Sequence, residues 1–203
     1  PGGNDFINSL QDEDSLTGVG VNPTLNATLG SVNDAAESVI VPKMSGVQTA
    51  NFEITGNAGG INFQDSTGLT NLNINRITQT NATVTMTDLD KSTTALSVSN
   101  ATRDGTVNFL YKEDNLLGTS DAVTLDLANA RLKALTIDET GDSGEDQGYG
   151  FETVNVNVNQ TSNIDALTIG ANTREDVSTA NASQTVNIVA KANTEINNLT
   201  ANG

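Results

Sequence analysis

The sequence predicts an all-β protein: a parallel β-solenoid (β-helix) of about six coils. Three observations carry this. A short pattern of small, apolar, uncharged polar and apolar residues occurs twelve times from residue 47 onward. Its apolar period is 2, that of a strand with one buried face, and no segment sustains a 3.6 spacing. Its first six copies follow one another at 11 or 12 residues, too close for a strand plus a helix in each step.

Residues 1–30 follow a different rule. Gly2-Gly3-Asn4-Asp5-Phe6-Ile7 is followed by Asp14-Ser15-Leu16-Thr17-Gly18. Asp5 to Asp14 and Ile7 to Leu16 are both nine residues, and Leu25 lies nine beyond Leu16. This resembles the Gly- and Asp-rich nonapeptide of the RTX family, whose turns hold Ca²⁺ between short strands of a parallel roll. Gly lets such a turn reach positive φ, and Asp carboxylates supply the hard oxygen ligands that calcium prefers. Asn4, Asp5, Asp12 and Asp14 are the candidate ligands, the alternative being a plain Asx-rich turn.

Residues 31–46 read as a connector. Asn33 or Asp34 is placed to cap a single helical turn at Ala35-Ala36-Glu37. Val39-Ile40-Val41 reads as a strand ended by Pro42, which has no N–H to donate to a ladder. Residues 1–46 are therefore expected to form an RTX-like calcium-binding and capping segment, and residues 47–203 the solenoid.

In the solenoid, the first apolar residues of the twelve cores are Ala50, Ile61, Leu72, Val84, Leu96, Val107, Val123, Leu135, Val154, Leu167, Val186 and Leu199. Pairing neighbours gives six coils, starting at 50, 72, 96, 123, 154 and 186. Each has two strands, and a third short strand is expected in the longer coils. At ~4.8 Å per coil the stack is about 29 Å tall. The middle residue of each core is Asn, Thr or Ser and never charged. On a parallel stack, each of these is expected to hydrogen-bond to its own copy one coil away. A flat face for lateral docking, for ice or for glycan is the alternative reading. Leu69 to Ile74, Leu132 to Ile137 and Ile164 to Ile169 echo the spacing of leucine-rich repeats, but the short intervals leave no room for that family's helices.

Three long connections, Leu110 to Ser120, Asp138 to Gly150 and Gly170 to Ser183, fall between one coil and the next and should project from one edge. The second is the densest acidic cluster. Asp138, Asp142, Glu145 and Asp146 form a candidate calcium site there, set against a solvated loop without EF-hand spacing. Lys112-Glu113-Asp114 and Arg174-Glu175-Asp176 read as surface ion pairs, and Asp88 and Asp90 as turn residues.

Twenty-five acids against nine bases give a net charge of −16, which repels nucleic-acid phosphates and anionic lipid and favours cations, calcium above all. With no Cys and no His, disulfides, thiolate or imidazole metal sites and imidazole catalysis are excluded. No apolar run approaches membrane-spanning length, so no membrane insertion is expected. The start at Pro1, without Met, reads as a fragment or a processed chain.

Gly46-Val47-Gln48-Thr49-Ala50-Asn51-Phe52, Gly68-Leu69-Thr70-Asn71-Leu72-Asn73-Ile74 and Gly150-Phe151-Glu152-Thr153-Val154-Asn155-Val156 share one layout. Laid side by side, they resemble the β-strand-repeat region of Gram-negative surface-layer (S-layer) proteins, secreted by type I systems together with RTX repeats. The resemblance implies a right-handed parallel β-helix, calcium-dependent assembly and a place at the cell surface. The expected function is structural: an extracellular protein that self-assembles, head to tail or laterally, into a surface layer or fibre. Cell-surface polysaccharide is a further expected partner. The rival is an adhesin, or an ice- or glycan-binding module of a large secreted RTX protein. Enzymatic activity is not expected. Catalysis on a β-helix needs carboxylates and bases aligned across coils, and Arg76, Arg103, Arg131 and Arg174 fall largely in turns. The only tyrosines to stack on sugar are Tyr111 and Tyr149.

Overall fold

A computed structural model describes residues 8–12, 14–30, 39–112, 115–116, 120–139, 150–170 and 184–201. Among them there are fourteen strands and no helix: β1 (Ser15–Thr17), β2 (Thr24–Leu29), β3 (Lys43–Ser45), β4 (Thr49–Ile54), β5 (Ala58–Asn62), β6 (Ser66–Thr67), β7 (Asn71–Ile77), β8 (Thr83–Leu89), β9 (Ala95–Tyr111), β10 (Ala122–Glu139), β11 (Thr153–Val158), β12 (Ser162–Ile169), β13 (Thr185–Ala190) and β14 (Thr194–Ala201). Every pairing between them is parallel. Short strands of period 2 cannot bury an apolar face alone, so each coil stacks that face on the coil before it.

Two walls result. The first runs β2, β4, β7, the start of β9, the start of β10, β11, β13. The second runs β5, β8, the end of β9, the end of β10, β12, β14. The stack makes about five turns from β4 to β13, slightly fewer than the six coils predicted, and β2 adds a further level to the first wall. The strand ladder thus runs straight across residue 46. A third column of short strands, β1, β3 and β6, lies between the second wall and the first. It occurs in the early, short coils, and the long connections that could hold a third strand in the later coils lie mostly outside the described residues.

Inward side chains alternate with outward ones along each wall, with breaks at the corners and bulges. Ala50, Leu72, Leu96, Leu125 and Val156 stack in the first wall, and Ile61, Met86, Phe109, Ile137 and Ile169 in the second, all fully or almost fully buried. Two register expectations are corrected. Val123 does not lie on Leu96, because Leu125 does. Ile61 does not lie beside Val84 but beside Met86, with Gly59 opposite Val84. Both errors are slips of two residues, which leave every side chain on the face it already had, so the hydrophobic pattern cannot detect them.

The chain turns from the first wall to the second through residues of positive φ that are not glycine: Asn100 (φ 50°) and Asp104 (φ 56°) in β9, Asn129 (φ 52°) in β10 and Asn81 (φ 57°) before β8. Asn and Asp tolerate this left-handed conformation better than other side-chain-bearing residues. Asn129 Nδ2 also donates to Asn100 Oδ1 at 3.2 Å, so the corner is stacked as well as bent.

The first coil carries a cap. Ser9 N–H donates to Thr28 O at 3.0 Å, Thr28 N–H to Ser9 Oγ at 2.7 Å and Gly30 N–H to Asn8 Oδ1 at 2.9 Å. These bonds take up backbone groups on the free side of β2, while Leu10, 1 % exposed, closes the core beneath. Covering a sheet edge in this way removes a template for further strands. Of the nine-residue steps, the one from Leu16 to Leu25 joins β1 to β2, in different columns of one coil, while Asp5 and Ile7 lie outside the described residues. Val39-Ile40-Val41 forms no regular strand. Ile40 makes a single parallel bridge to Ile61. The predicted helical turn at Ala35-Ala36-Glu37 lies outside the described residues.

Candidate functional site

The residues predicted to bind calcium fall into three groups. Asn4, Asp5, Asp142, Glu145 and Asp146 lie outside the described residues. Asp12 and Asp14 sit beneath the first coil, and each commits an oxygen to the backbone. Asp12 Oδ1 accepts from Val41 N–H and Asp14 Oδ2 from Gln11 N–H, both at 2.9 Å. Asp138, at the end of β10, accepts from Glu139 N–H through Oδ1 at 2.9 Å. The chain at Gly170 passes so close to this carboxyl that a side chain there would overlap it. Among the described residues, no three His, Cys, Asp or Glu side chains form a group able to hold a metal ion. Asp12, Asp14 and Asp138 are not members of such a group.

Burial pushes the Asp138 carboxyl above its ordinary range, and the bond from Glu139 N–H only partly offsets this. A carboxyl raised in the folded state is destabilising once it ionises, so stability is gained as pH falls through its folded pKa. Asp138→Asn keeps the acceptor and removes the charge. The expected result is a higher Tm at pH 7 than that of the parent, with the gap closing as the pH is lowered. If Asp138 ligates calcium instead, the same variant should melt lower whenever calcium is present.

Asp90 shows the opposite balance. Burial alone would raise its carboxyl, but hydrogen bonds from the Ser92 backbone and hydroxyl and from Asn115, with the charge of Lys112, together hold it below the ordinary range. It is a turn residue, as its sequence setting suggests, and Asp88 turns the chain at φ 55°. Lys112 Nζ donates to Gln64 O at 3.3 Å; Glu113, Asp114, Arg174, Glu175 and Asp176 lie outside the described residues. The described ion pairs are elsewhere, Arg76 with Glu53 at 2.9 Å and Arg131 with Asp104 at 2.6 Å, both across coils on the surface.

In the first wall, several outward residues bond across coils as the parallel stack predicts. Asn51 Nδ2 donates to Asn26 Oδ1 and Asn73 Nδ2 to Asn51 Oδ1, both at 2.8 Å, and Ser97 Oγ donates to Asn73 Oδ1 at 2.7 Å. Higher up, Asn157 Nδ2 reaches Asp126 Oδ1 at 2.9 Å and Asn187 Nδ2 reaches Asn155 Oδ1 at 3.0 Å. The second wall differs in chemistry. Its central outward row reads Gly60, Thr85, Asn108, Thr136, Thr168, Thr200. The row beside it reads Thr83, Thr106, Ala134, Ala166, Asn198, and neither row holds a charge.

Two buried polar contacts were not read from the sequence. Tyr111 is no sugar platform: its ring packs edge-on to Phe151 at 4.8 Å, and its hydroxyl donates to Thr93 O at 2.5 Å. Burial pushes that phenol far up, fixing it as a donor. Glu152, 7 % exposed, accepts Asp121 N–H through Oε2 at 2.7 Å and so ties the long turn before β10 to the coil above. A lone Glu between Phe151 and Thr153 gives no sign of this, because its partner lies 31 residues away.

The last described coil is bare on one side. Ile188 and Leu199 point inward, yet are 41 % and 46 % exposed. Among the described residues, β13 pairs only with β11 and β14 only with β12. No family model, no curated protein and no solved structure matches this chain.

Proposed function

We propose that this chain is a structural extracellular protein that self-assembles into a surface layer or fibre and is stabilised by calcium. The observation that carries the reading is the state of the walls. Outward amides and hydroxyls of the first wall, from Asn26 through Asn51 and Asn73 to Ser97 and again at Asn155 and Asn187, are bonded from coil to coil, and the inward side chains form an apolar column. Such a body is a stiff rod, with its polar surface spent on its own cohesion.

An exposed strand edge is a template for further strands, and a cap removes it. The cap of residues 8–12 bears on which contact between copies is favoured. A head-to-tail contact would stack β13 against a neighbour's β2, where Ser9 and Asn8 already engage Thr28 and Gly30, so lateral contacts are favoured over end-on ones.

Calcium is proposed from the excess of acid. The described carboxylates that would contribute are Asp12, Asp14 and Asp138, each with a second oxygen beyond the one bonded to the backbone. The test is thermal melting with added Ca²⁺ against EGTA, alongside negative-stain microscopy in both conditions. An ion bound only by the folded chain raises Tm, by about 2.7 kcal/mol of stability at a hundredfold excess over Kd. Unchanged melting would remove calcium from the proposal. Discrete monomers in every field, with and without calcium, would remove assembly.

The two charge-free outward rows of the second wall favour one other reading, a glycan- or ice-binding face. Its hydroxyl and methyl rows lie ~4.8 Å apart from coil to coil. Silence on a glycan array and in an ice-growth assay would end it.

A further inference from the structure

Formal charge is segregated about the solenoid axis. From Thr49 onward the chain has nineteen acids and eight bases. Among the described residues, the ends of the second-wall strands and the segments that lead back to the first wall hold seven acids and two bases. The two walls and the corner from first to second hold five of each sign. One edge of the rod is therefore strongly acidic, with Asp65, Asp88, Asp90, Asp121, Asp138 and Glu139 at successive levels, while both faces are close to neutral.

The corner diagonally opposite carries the main concentration of cations. Arg103 is in β9 and Arg131 and Lys133 are in β10, the strand stacked on it, and all three are exposed. Lys133 is the extra residue of a β-bulge, between the pairs Leu132–Gly105 and Ala134–Thr106. Bulges re-aim a side chain. Arg131 is neutralised by Asp104, but among the described residues neither Arg103 nor Lys133 has an ion-pair partner.

We infer that copies of this chain pack side by side, with the acidic edge of one against the Arg103–Lys133 corner of the next. This deepens the assembly reading above and rests on it. The occupant is a second copy because the chain carries both halves of the contact on opposite edges. Translating one rod sideways brings acid to base, whereas rotating it to meet its twin brings acid to acid. Edge and corner also share the same repeat of ~4.8 Å per coil, so parallel rods match level for level. A contact between two different surfaces of one chain does not close on itself; repeated, it gives a row of rods. Exposed ion pairs are individually weak and screened by salt, so the contact should be weak, multivalent and salt-sensitive.

The test is sedimentation of the 203-residue chain at about 0.1 M and about 1 M salt, where the screening length falls from about 10 Å to about 3 Å. Association is expected at the lower salt and not at the higher. Arg103→Glu with Lys133→Glu should weaken it at least about tenfold, because juxtaposed like charges are strongly unfavourable. Arg103→Lys with Lys133→Arg should retain it. Zero-length carbodiimide cross-linking of mixed heavy and light chains should join Lys133 of one chain to carboxylates of the acidic edge of another. A monomeric chain at the lower salt, or association untouched by the charge reversal, would overturn the lateral contact. If Ile188→Asp with Leu199→Asp abolishes all association while the charge reversal does nothing, the lateral contact fails and assembly itself stands.

Discussion

Phe109→Ala should lower stability by about 3–5 kcal/mol and Tm by on the order of 10 °C. Phe109 is fully buried in the second wall, with Met86 in the coil below and Ile137 in the coil above. Neither neighbour can fill the space it leaves, because each is held in register by its own ladder. The control is one residue away. Asn108 points outward and donates Nδ2 to Thr85 Oγ1 at 3.2 Å, so Asn108→Ala should cost only about 0.5–1.5 kcal/mol. In a stack where each coil touches only its neighbours, a weakened middle coil also divides the rod. The Phe109→Ala chain should therefore melt less cooperatively, with hydrogen exchange accelerated first around β8, β9 and β10. Equal losses from the two substitutions would mean that the inward column is not what holds the stack.

What could be read from the sequence, and what could not, divides along that same column. The side to which each core residue points was legible, because alternation of apolar and Asn/Thr/Ser residues has only one meaning on a half-buried strand. Val154-Asn155-Val156 behaves as written, with both valines fully buried and Asn155 bonded to Asn187. Which residue stacks on which was less legible. Leu96 meets Leu125 and Gly59 meets Val84 because bulges and left-handed Asn and Asp corners set the register, and these leave the period-2 pattern intact. Those corners did carry a signal in Asn81, Asn100 and Asn129, each near the end of one wall strand or the start of the next. The cap left little trace, since Leu10 lies among polar residues and is held over the core by bonds that its neighbours Ser9 and Asn8 make to the distant Thr28 and Gly30. The candidate calcium ligands were chosen by residue type alone. Residue type does not show that Asp12 and Asp14 are partly engaged by backbone amides, nor that Asp138 is buried enough to resist ionising. The acidic edge belongs to the same class of fact. Its residues are scattered along the chain, and only the coil topology gathers them.

Gly18→Ala and Gly59→Ala, the same chemical change, should move stability in opposite directions. Gly18 stands where the third column turns into the first wall, directly over Gly46. A Cβ there would meet the carbonyl group of Gly46, with the carbonyl carbon 2.6 Å away, and the Pro23 ring carbon at 2.7 Å. Backbone cannot yield as a flexible side chain does, so the turn must move. That breaks the bond from Gly18 N–H to Ser45 O, now 2.8 Å, and with it the hold of β1 on β3. Overpacking alone costs about 1–3 kcal/mol, and loosening the first coil also loosens the cap that Leu10 completes. Gly59 has room instead. Its Cβ would sit 3.6 Å from Leu29 Cδ1 and 3.7 Å from Ile54 Cδ1, ordinary contact distances, at an inward position opposite Val84. Alanine there restricts the unfolded chain and adds buried apolar surface, which should stabilise by about 0.4–1 kcal/mol and raise Tm by about 1–4 °C. Hydrogen exchange separates the causes: Gly18→Ala should deprotect the β1 and β3 amides while leaving β10 to β12 unchanged. A neutral Gly18→Ala would mean that the first coil is not stacked as tightly on the second as the Gly18–Gly46 approach requires, and a destabilising Gly59→Ala would place the second wall's first level in a different register.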